Sequence, residues 1–195
     1  MTNFNVILFE NYEPLDVFGP IEVIGKLDKL YKIEFFSENG GIVRCSQNIR
    51  IETLSLAQMP EIGVLFIPGG FGTRKEVFNN NLIRFLANKA RAATYVLTVC
   101  TGSALLAKTG VLDQIRATSN KLAFDWVVQQ NEKVKWIRKA RWVQDGKFYS
   151  SSGISAGIDM TLGFVNDTVG NEMAEKIAKG FEYIWNKDKD NDPFC

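Results

Sequence analysis

Three runs with almost no polar residue constrain the fold most: Val6-Ile7-Leu8-Phe9, Val64-Leu65-Phe66-Ile67 and Tyr95-Val96-Leu97-Thr98-Val99. A strand with one wet face alternates apolar and polar residues, so strands apolar throughout must be covered on both faces. Longer segments of helical period lie between the runs. Strands alternating with helices in this way build an α/β domain around a mostly parallel sheet.

Gly19-Pro20 reads as the start of the first helix, which carries Ile21, Val23, Ile24 and Leu27, because proline is tolerated in a first turn. Tyr31 to Phe36 is the second strand, and Ile42-Val43 with Ile49-Arg50-Ile51 form a small hairpin. Helices are expected at Asn81–Ala92, Ala104–Lys108, Lys121–Gln130, Ser155–Val169 and Glu172–Trp185. Short strands are expected near Arg116–Thr118, at Lys135-Trp136 and at Arg141–Val143, with Asp145-Gly146 turning into a return strand, Phe148–Ser150. The charge-alternating tail Asn186–Pro193 reads as a solvated terminal segment. Without a repeat or a Pro/Gly/Ser-rich linker, residues 1–195 are expected to form one domain.

Composition removes several function classes. Lys+Arg number 23 and Asp+Glu 22, mixed along the chain, so no basic footprint points to nucleic acid or an anionic membrane. The N-terminus lacks a signal-peptide pattern, and no apolar run approaches the ~18 residues of a membrane span, so a cytoplasmic protein is expected. The three cysteines, Cys45, Cys100 and Cys195, are far apart and include no Cys-x-x-Cys, which supports neither a disulfide framework nor a zinc ribbon. The chain contains no histidine, so it has no Ser-His-Asp or Cys-His pair and no side chain that ordinarily titrates near neutrality. No metal or cofactor is expected, and chemistry must run on cysteine, carboxylates, hydroxyls and backbone amides.

One constellation suits such chemistry. Cys100 follows a strand and precedes the small residues Thr101, Gly102 and Ser103 and then a helix, an elbow that would project its thiol into the crevice beyond the strand ends. The first amides of that helix would lower the thiol pKa, although a core cysteine packed as a small hydrophobe fits the same residues. Gly69-Gly70 also follows a strand and could supply one arm of an oxyanion hole, the Thr101 amide being the other. Neither phosphate-loop glycine pattern is present. Proton transfer needs a carboxylate, and the first strand-to-helix connection offers Glu10, Glu13, Asp16 and Glu22. Asp16 is best placed, with a helix N-cap as its other reading. Ser155, at a helix start in Gly153–Asp159, could cap the helix or line a pocket, and Cys45 and Cys195 precede no helix and receive no role.

These segments resemble the ThiJ/PfpI superfamily of class I glutamine amidotransferase-like domains, and within it the isonitrile hydratase-like group. The resemblance rests on Leu15–Val23, Ile67-Pro68-Gly69-Gly70, Val99–Ser103 with Leu112 and Arg116-Ala117-Thr118, Ser152–Asp159, and Tyr183 with Asp192-Pro193-Phe194. It implies a flavodoxin-like three-layer sandwich, usually a homodimer, with Cys100 as nucleophile on the elbow and Asp16 as the carboxylate against it. It further implies oxyanion-binding amides at Gly70 and Thr101, with the Thr101 hydroxyl as relay or substrate contact. Many relatives carry a histidine where this chain has Asn120, which can hydrogen-bond but not exchange protons near neutral pH. The expected activity is hydration of an isonitrile to an N-substituted formamide through a Cys100 thioimidate, on a small uncharged or carbonyl-like substrate. Tyr12, Phe18, Phe71 and Trp126 are offered as apolar contacts. The alternatives are a non-catalytic thiol sensor of oxidative stress or regulatory module, and a glyoxalase- or deglycase-like activity on α-oxoaldehydes.

Overall fold

The computed structural model describes residues 1–195. One sheet of eight strands forms its middle layer. In chain order the strands are β1 (Thr2–Ile7), β2 (Tyr31–Ser37), β3 (Asn39–Arg44), β4 (Arg50–Ser55), β5 (Val64–Ile67) and β6 (Tyr95–Val99), followed by the short β7 (Arg116–Ala117) and β8 (Lys135–Trp136), then β9 (Trp142–Asp145) and β10 (Phe148–Ser151). Their order across the large sheet is β3-β4-β2-β1-β5-β6-β10-β9, while β7 and β8 pair separately. The inner strands are parallel, with Val6 opposite Phe66 and Ile67 opposite Thr98. The edges are closed by antiparallel hairpins, β3 on β4 and β9 on β10.

The helices are α1 (Pro14–Gly25), α2 (Thr73–Glu76), α3 (Asn80–Ala92), α4 (Gly102–Lys108), α5 (Phe124–Val128), α6 (Ala156–Thr168) and α7 (Asn171–Gly180). One group, α1, α6 and α7, packs together, and α2 to α5 form the second layer. Phe4, Phe36, Phe66, Leu97 and Phe164 are fully buried, and Phe164 meets Tyr95 and Tyr149 edge-on. The apolar runs that predicted buried strands at 64–67 and 95–99 form β5 and β6 with those bounds. None of the helices is long and apolar enough to cross a membrane.

Several expectations are corrected: the first strand is Thr2–Ile7, so Leu8 and Phe9 lie beyond it, and the last helix ends at Gly180 rather than Trp185. The first helix begins at Pro14, not at Gly19-Pro20; Pro20 lies inside it, packed toward Gly157 of α6. The fifth helix is a short turn rather than the span Lys121–Gln130, because the Lys121 ammonium turns inward to donate to Ala140 O (2.6 Å) and Thr118 Oγ1 (2.9 Å). The tail is not solvated throughout. Lys189 O accepts from the Arg141 backbone N–H (2.8 Å), and Asp192, 2% exposed, faces Arg141 and Lys121 at 3.6 and 3.7 Å. Replacing Asp192 with Ala leaves both buried cations short of counter-charge and is expected to lower stability by about 1–3 kcal/mol. The urea midpoint reads this; an unchanged midpoint would mean that the segment detaches in solution.

The strand order reverses between β1 and β5: from β1 the chain moves outward to β2, and later returns to the other side of β1 as β5. Open α/β sheets bind ligands at the carboxyl ends of strands flanking such a switch point. The segments leaving β1, β5 and β6 carry Asp16, Gly69-Gly70 and Cys100.

Candidate active site

Cys100 sits between β6 and α4 with φ +55°, a left-handed conformation that costs a non-glycine residue about 1–2 kcal/mol. Its backbone is held from both sides. The N–H points to Ser151 O and Ser152 O (3.2 Å each), and the carbonyl accepts from Ser119 Oγ (2.8 Å) and Ser103 Oγ (3.0 Å). Gly102 makes the turn possible, since a Cβ there would stand 2.3 Å from Ile67 O and 2.6 Å from Pro68 O. This is the elbow that strand, cysteine and small residues predict.

Asp16 lies in the first turn of α1 and is fully buried. It is not the N-cap; that position is Glu13, whose side chain makes no capping bond. Asp16 Oδ2 accepts from the Gly69 N–H at 2.8 Å, whereas Oδ1 is buried without a partner that meets hydrogen-bond geometry. Two titratable groups lie near it, the Glu13 carboxylate, which opposes its charge, and the Cys100 thiol, which favours it. Burial pushes the Asp16 carboxyl well above the usual carboxylate range, outweighing the Gly69 bond that favours its charge. Burial likewise pushes the Cys100 thiol up, and negative charge on Asp16 adds to that; the Thr101 amide and hydroxyl and the Arg74 guanidinium act in the opposite direction. The expected lowering of the thiol pKa is therefore not found: α4 is short and desolvation dominates. Two buried negative charges side by side are disfavoured, so the pair retains a proton that either group can hold.

The Gly70 N–H, expected to face an oxyanion, is occupied by Thr101 Oγ1 at 3.0 Å. Thr73 Oγ1 donates to Gly70 O (2.7 Å) and lies 3.1 Å from Thr101 Oγ1, so the Thr101 hydroxyl sits inside a small polar network against the thiol loop. Asn120 Oδ1 accepts from the Ala123 N–H (3.0 Å), and its Nδ2 presses on Gly153, where a Cβ would lie 1.9 Å away. Asn120 is thus a wall that caps the turn into α5.

A cavity of about 220 Å³ opens onto this group, lined by Cys100, Gly70, Thr101 and Asn120 together with Glu13, Arg74 and the apolar Phe71, Leu122 and Ile154. Gly69 stays behind it, bonded to Asp16. Ser155 lines a separate neighbouring cavity of about 460 Å³ with Gly153 and Phe194, and it makes no capping bond. Of the apolar candidates, Phe71 reaches the Cys100 cavity and Trp126 stacks under Arg74 (4.2 Å), whereas Tyr12 is core and Phe18 faces another groove. Sequence reasoning missed Arg74 and Thr73. Their signal was position, a few residues beyond Gly69-Gly70 in a loop leaving the carboxyl end of a strand.

Comparison with known proteins places the chain in a family. The chain is 29% identical over 178 residues to an isonitrile hydratase of Pseudomonas putida, covering 91% of this chain and 76% of that protein. It is 25% identical over 160 residues to protein dj-1beta of Drosophila melanogaster, across 80% of this chain and 84% of the relative. The crystal structure of a ThiJ/PfpI family protein from Pseudomonas syringae superposes with a TM-score of 0.85 at 26% identity, covering 98% of this chain and 76% of that one. Residues 4–167 match the DJ-1/PfpI family as a whole, and the chain belongs to that family.

Proposed function

We propose that the protein hydrates an isonitrile to an N-substituted formamide. The observation that carries this reading is Cys100 on its elbow, lining a cavity and backed by the buried Asp16 carboxyl, in a chain with no histidine to assist it. The similarity to an isonitrile hydratase supports it. The Cys100 sulfur bonds to the terminal carbon of R–N≡C while Asp16 relays the thiol proton to that carbon, giving the thioimidate R–N=CH–S. Water then adds to the same carbon, with Asp16 taking a proton from it and passing that proton to nitrogen. The carbon–sulfur bond breaks as the hydroxyl proton returns to sulfur, and the formamide leaves. Rotation of the Thr101 hydroxyl would free the Gly70 N–H to join the Thr101 amide around the developing oxygen. The same reading takes the protein as a cytoplasmic homodimer; three free cysteines suit a reducing compartment.

Turnover of para-nitrophenyl isonitrile and of methylglyoxal by the wild type and by Cys100→Ala tests this. Formamide production that vanishes in Cys100→Ala is expected. Turnover of methylglyoxal alone would move the pair to α-oxoaldehyde chemistry.

A second reading, a thiol sensor, is favoured by the unpartnered Asp16 Oδ1. A protonated carboxyl there could hydrogen-bond an oxidised Cys100 sulfur and hold it at the sulfinic level. A wild type that turns over neither compound, yet gains the mass of two oxygens on Cys100 under peroxide, would favour the sensor.

A further inference from the structure

We propose that Arg74 selects substrates bearing a carboxylate, binding that group while the electrophilic carbon meets Cys100. The inference rests on Cys100 as the reacting atom, but not on isonitrile as the electrophile.

Arg74 is the one cation on the wall of the Cys100 cavity, and the apolar Phe71, Leu122 and Ile154 surround the opening. Its guanidinium is held in place: it lies over the Trp126 ring at 4.2 Å, beside the Phe71 ring at 5.6 Å, and Nη1 donates to Thr73 Oγ1 at 3.3 Å. Stacking uses the faces of the guanidinium and leaves its in-plane N–H donors free for a planar, two-oxygen acceptor. Arg74 enters none of the ion pairs in the molecule, in contrast to Arg141, Arg116 and Arg138, each of which has a carboxylate partner. A half-buried, pre-oriented cation without a counter-ion, beside a nucleophile in an apolar-rimmed cavity, is complementary to an anion supplied by the substrate. The uncharged substrate expected from the aromatic residues is thereby refined: apolar contacts hold its body and Arg74 holds a charged end. Two acidic groups oppose this. Asp16 is pushed toward its neutral form by burial, which leaves Glu13 on the cavity wall as the competing charge.

Alkylation of the thiols tests the proposal without any knowledge of the natural substrate. Iodoacetate and iodoacetamide share a mechanism, in which the sulfur–carbon bond forms as iodide leaves, and differ by one carboxylate. The exposed Cys195 in the same chain supplies the internal reference. The rate ratio of iodoacetate to iodoacetamide, read by peptide mass at Cys100 and divided by that at Cys195, is expected to be about tenfold in the wild type. It should collapse toward one in Arg74→Met, fall to an intermediate value in Arg74→Lys, which keeps the charge but not the stacked fork, and rise in Glu13→Gln. A change in thiol pKa caused by these substitutions alters both reagents equally and cancels in the ratio. Labelling of Cys100 with no preference for iodoacetate, or with a preference unchanged in Arg74→Met, overturns the proposal alone. Failure of either reagent to reach Cys100 overturns it together with the Cys100 reading.

Discussion

The Asp16→Asn variant is expected to lose about 10²–10⁴-fold in isonitrile turnover while becoming more stable than the wild type at neutral pH. The two effects share one cause. Asn keeps an acceptor for the Gly69 N–H and fills the same volume, but it cannot carry a proton from the thiol to the substrate. Burial raises the Asp16 pKa in the folded protein, so above the ordinary carboxylate range the unfolded chain releases a proton that the folded one keeps. Fewer protons on the unfolded chain mean that wild-type stability falls as pH rises from the unfolded value through the raised folded one. Asn at position 16 has no such slope. Melting both proteins near about pH 4 and about pH 8 should show the advantage of the variant growing with pH. A variant less stable than the wild type at the higher pH would mean that Asp16 is held charged by its surroundings.

Breaking the ion pair between Asp159 of α6 and Arg141, the residue that precedes β9, is the largest expected stability loss. Arg141 Nη2 and Nε stand 2.6 and 2.7 Å from Asp159 Oδ2, and Oδ1 accepts from Tyr183 Oη (3.1 Å) and the Asn186 N–H (2.9 Å). Asp159 is fully buried and Arg141 nearly so. Asp159→Ala therefore strands a buried guanidinium and unties the chain after α7. A loss of about 3–5 kcal/mol follows, lowering Tm by about 6–20 °C for a domain of this size. Removing both charges in Arg141→Met with Asp159→Leu should cost less than the single change, because no charge is left unpaired. Folded Asp159→Ala should keep Cys100 reactivity, since Asp159 does not line that cavity. Equal losses for the single and double variants would show that shape at this position matters more than charge.

What was legible in the sequence follows the physical reach of each signal. Strands buried on both faces announce themselves, so β5 and β6 end where their apolar runs end. The elbow was legible for a similar reason: the small residues after Cys100 are demanded locally, by carbonyls of the neighbouring strand end. Boundaries decided by distant partners were not. Pro20 signals a helix start, yet packing against Gly157 of α6 lets it stay inside α1, so Asp16 enters a helix rather than a loop. The last helix stops at Gly180, short of Trp185, because Tyr183 and Trp185 both turn to hydrogen-bond Asp159. Charge alternation in the tail concealed Asp192, whose partners lie some 50 to 70 residues earlier. At the site, residue types pointed to Cys100 and Asp16 but not to the balance between helix amides and desolvation, which depends on burial. Arg74 escaped because a lone arginine carries no motif until its neighbours are known.

In the proposed mechanism Cys100 attacks the substrate carbon and Asp16 moves the proton. Acid-quenched, pre-steady-state reaction of the wild type with para-nitrophenyl isonitrile, followed by peptide mass measurement, tests it most directly. The Cys100 peptide is expected to gain transiently the mass of one isonitrile molecule, this species to decay as formamide appears, and Asp16→Asn to form it more slowly. Formamide production without an adduct on Cys100, undiminished in Cys100→Ala, would contradict it.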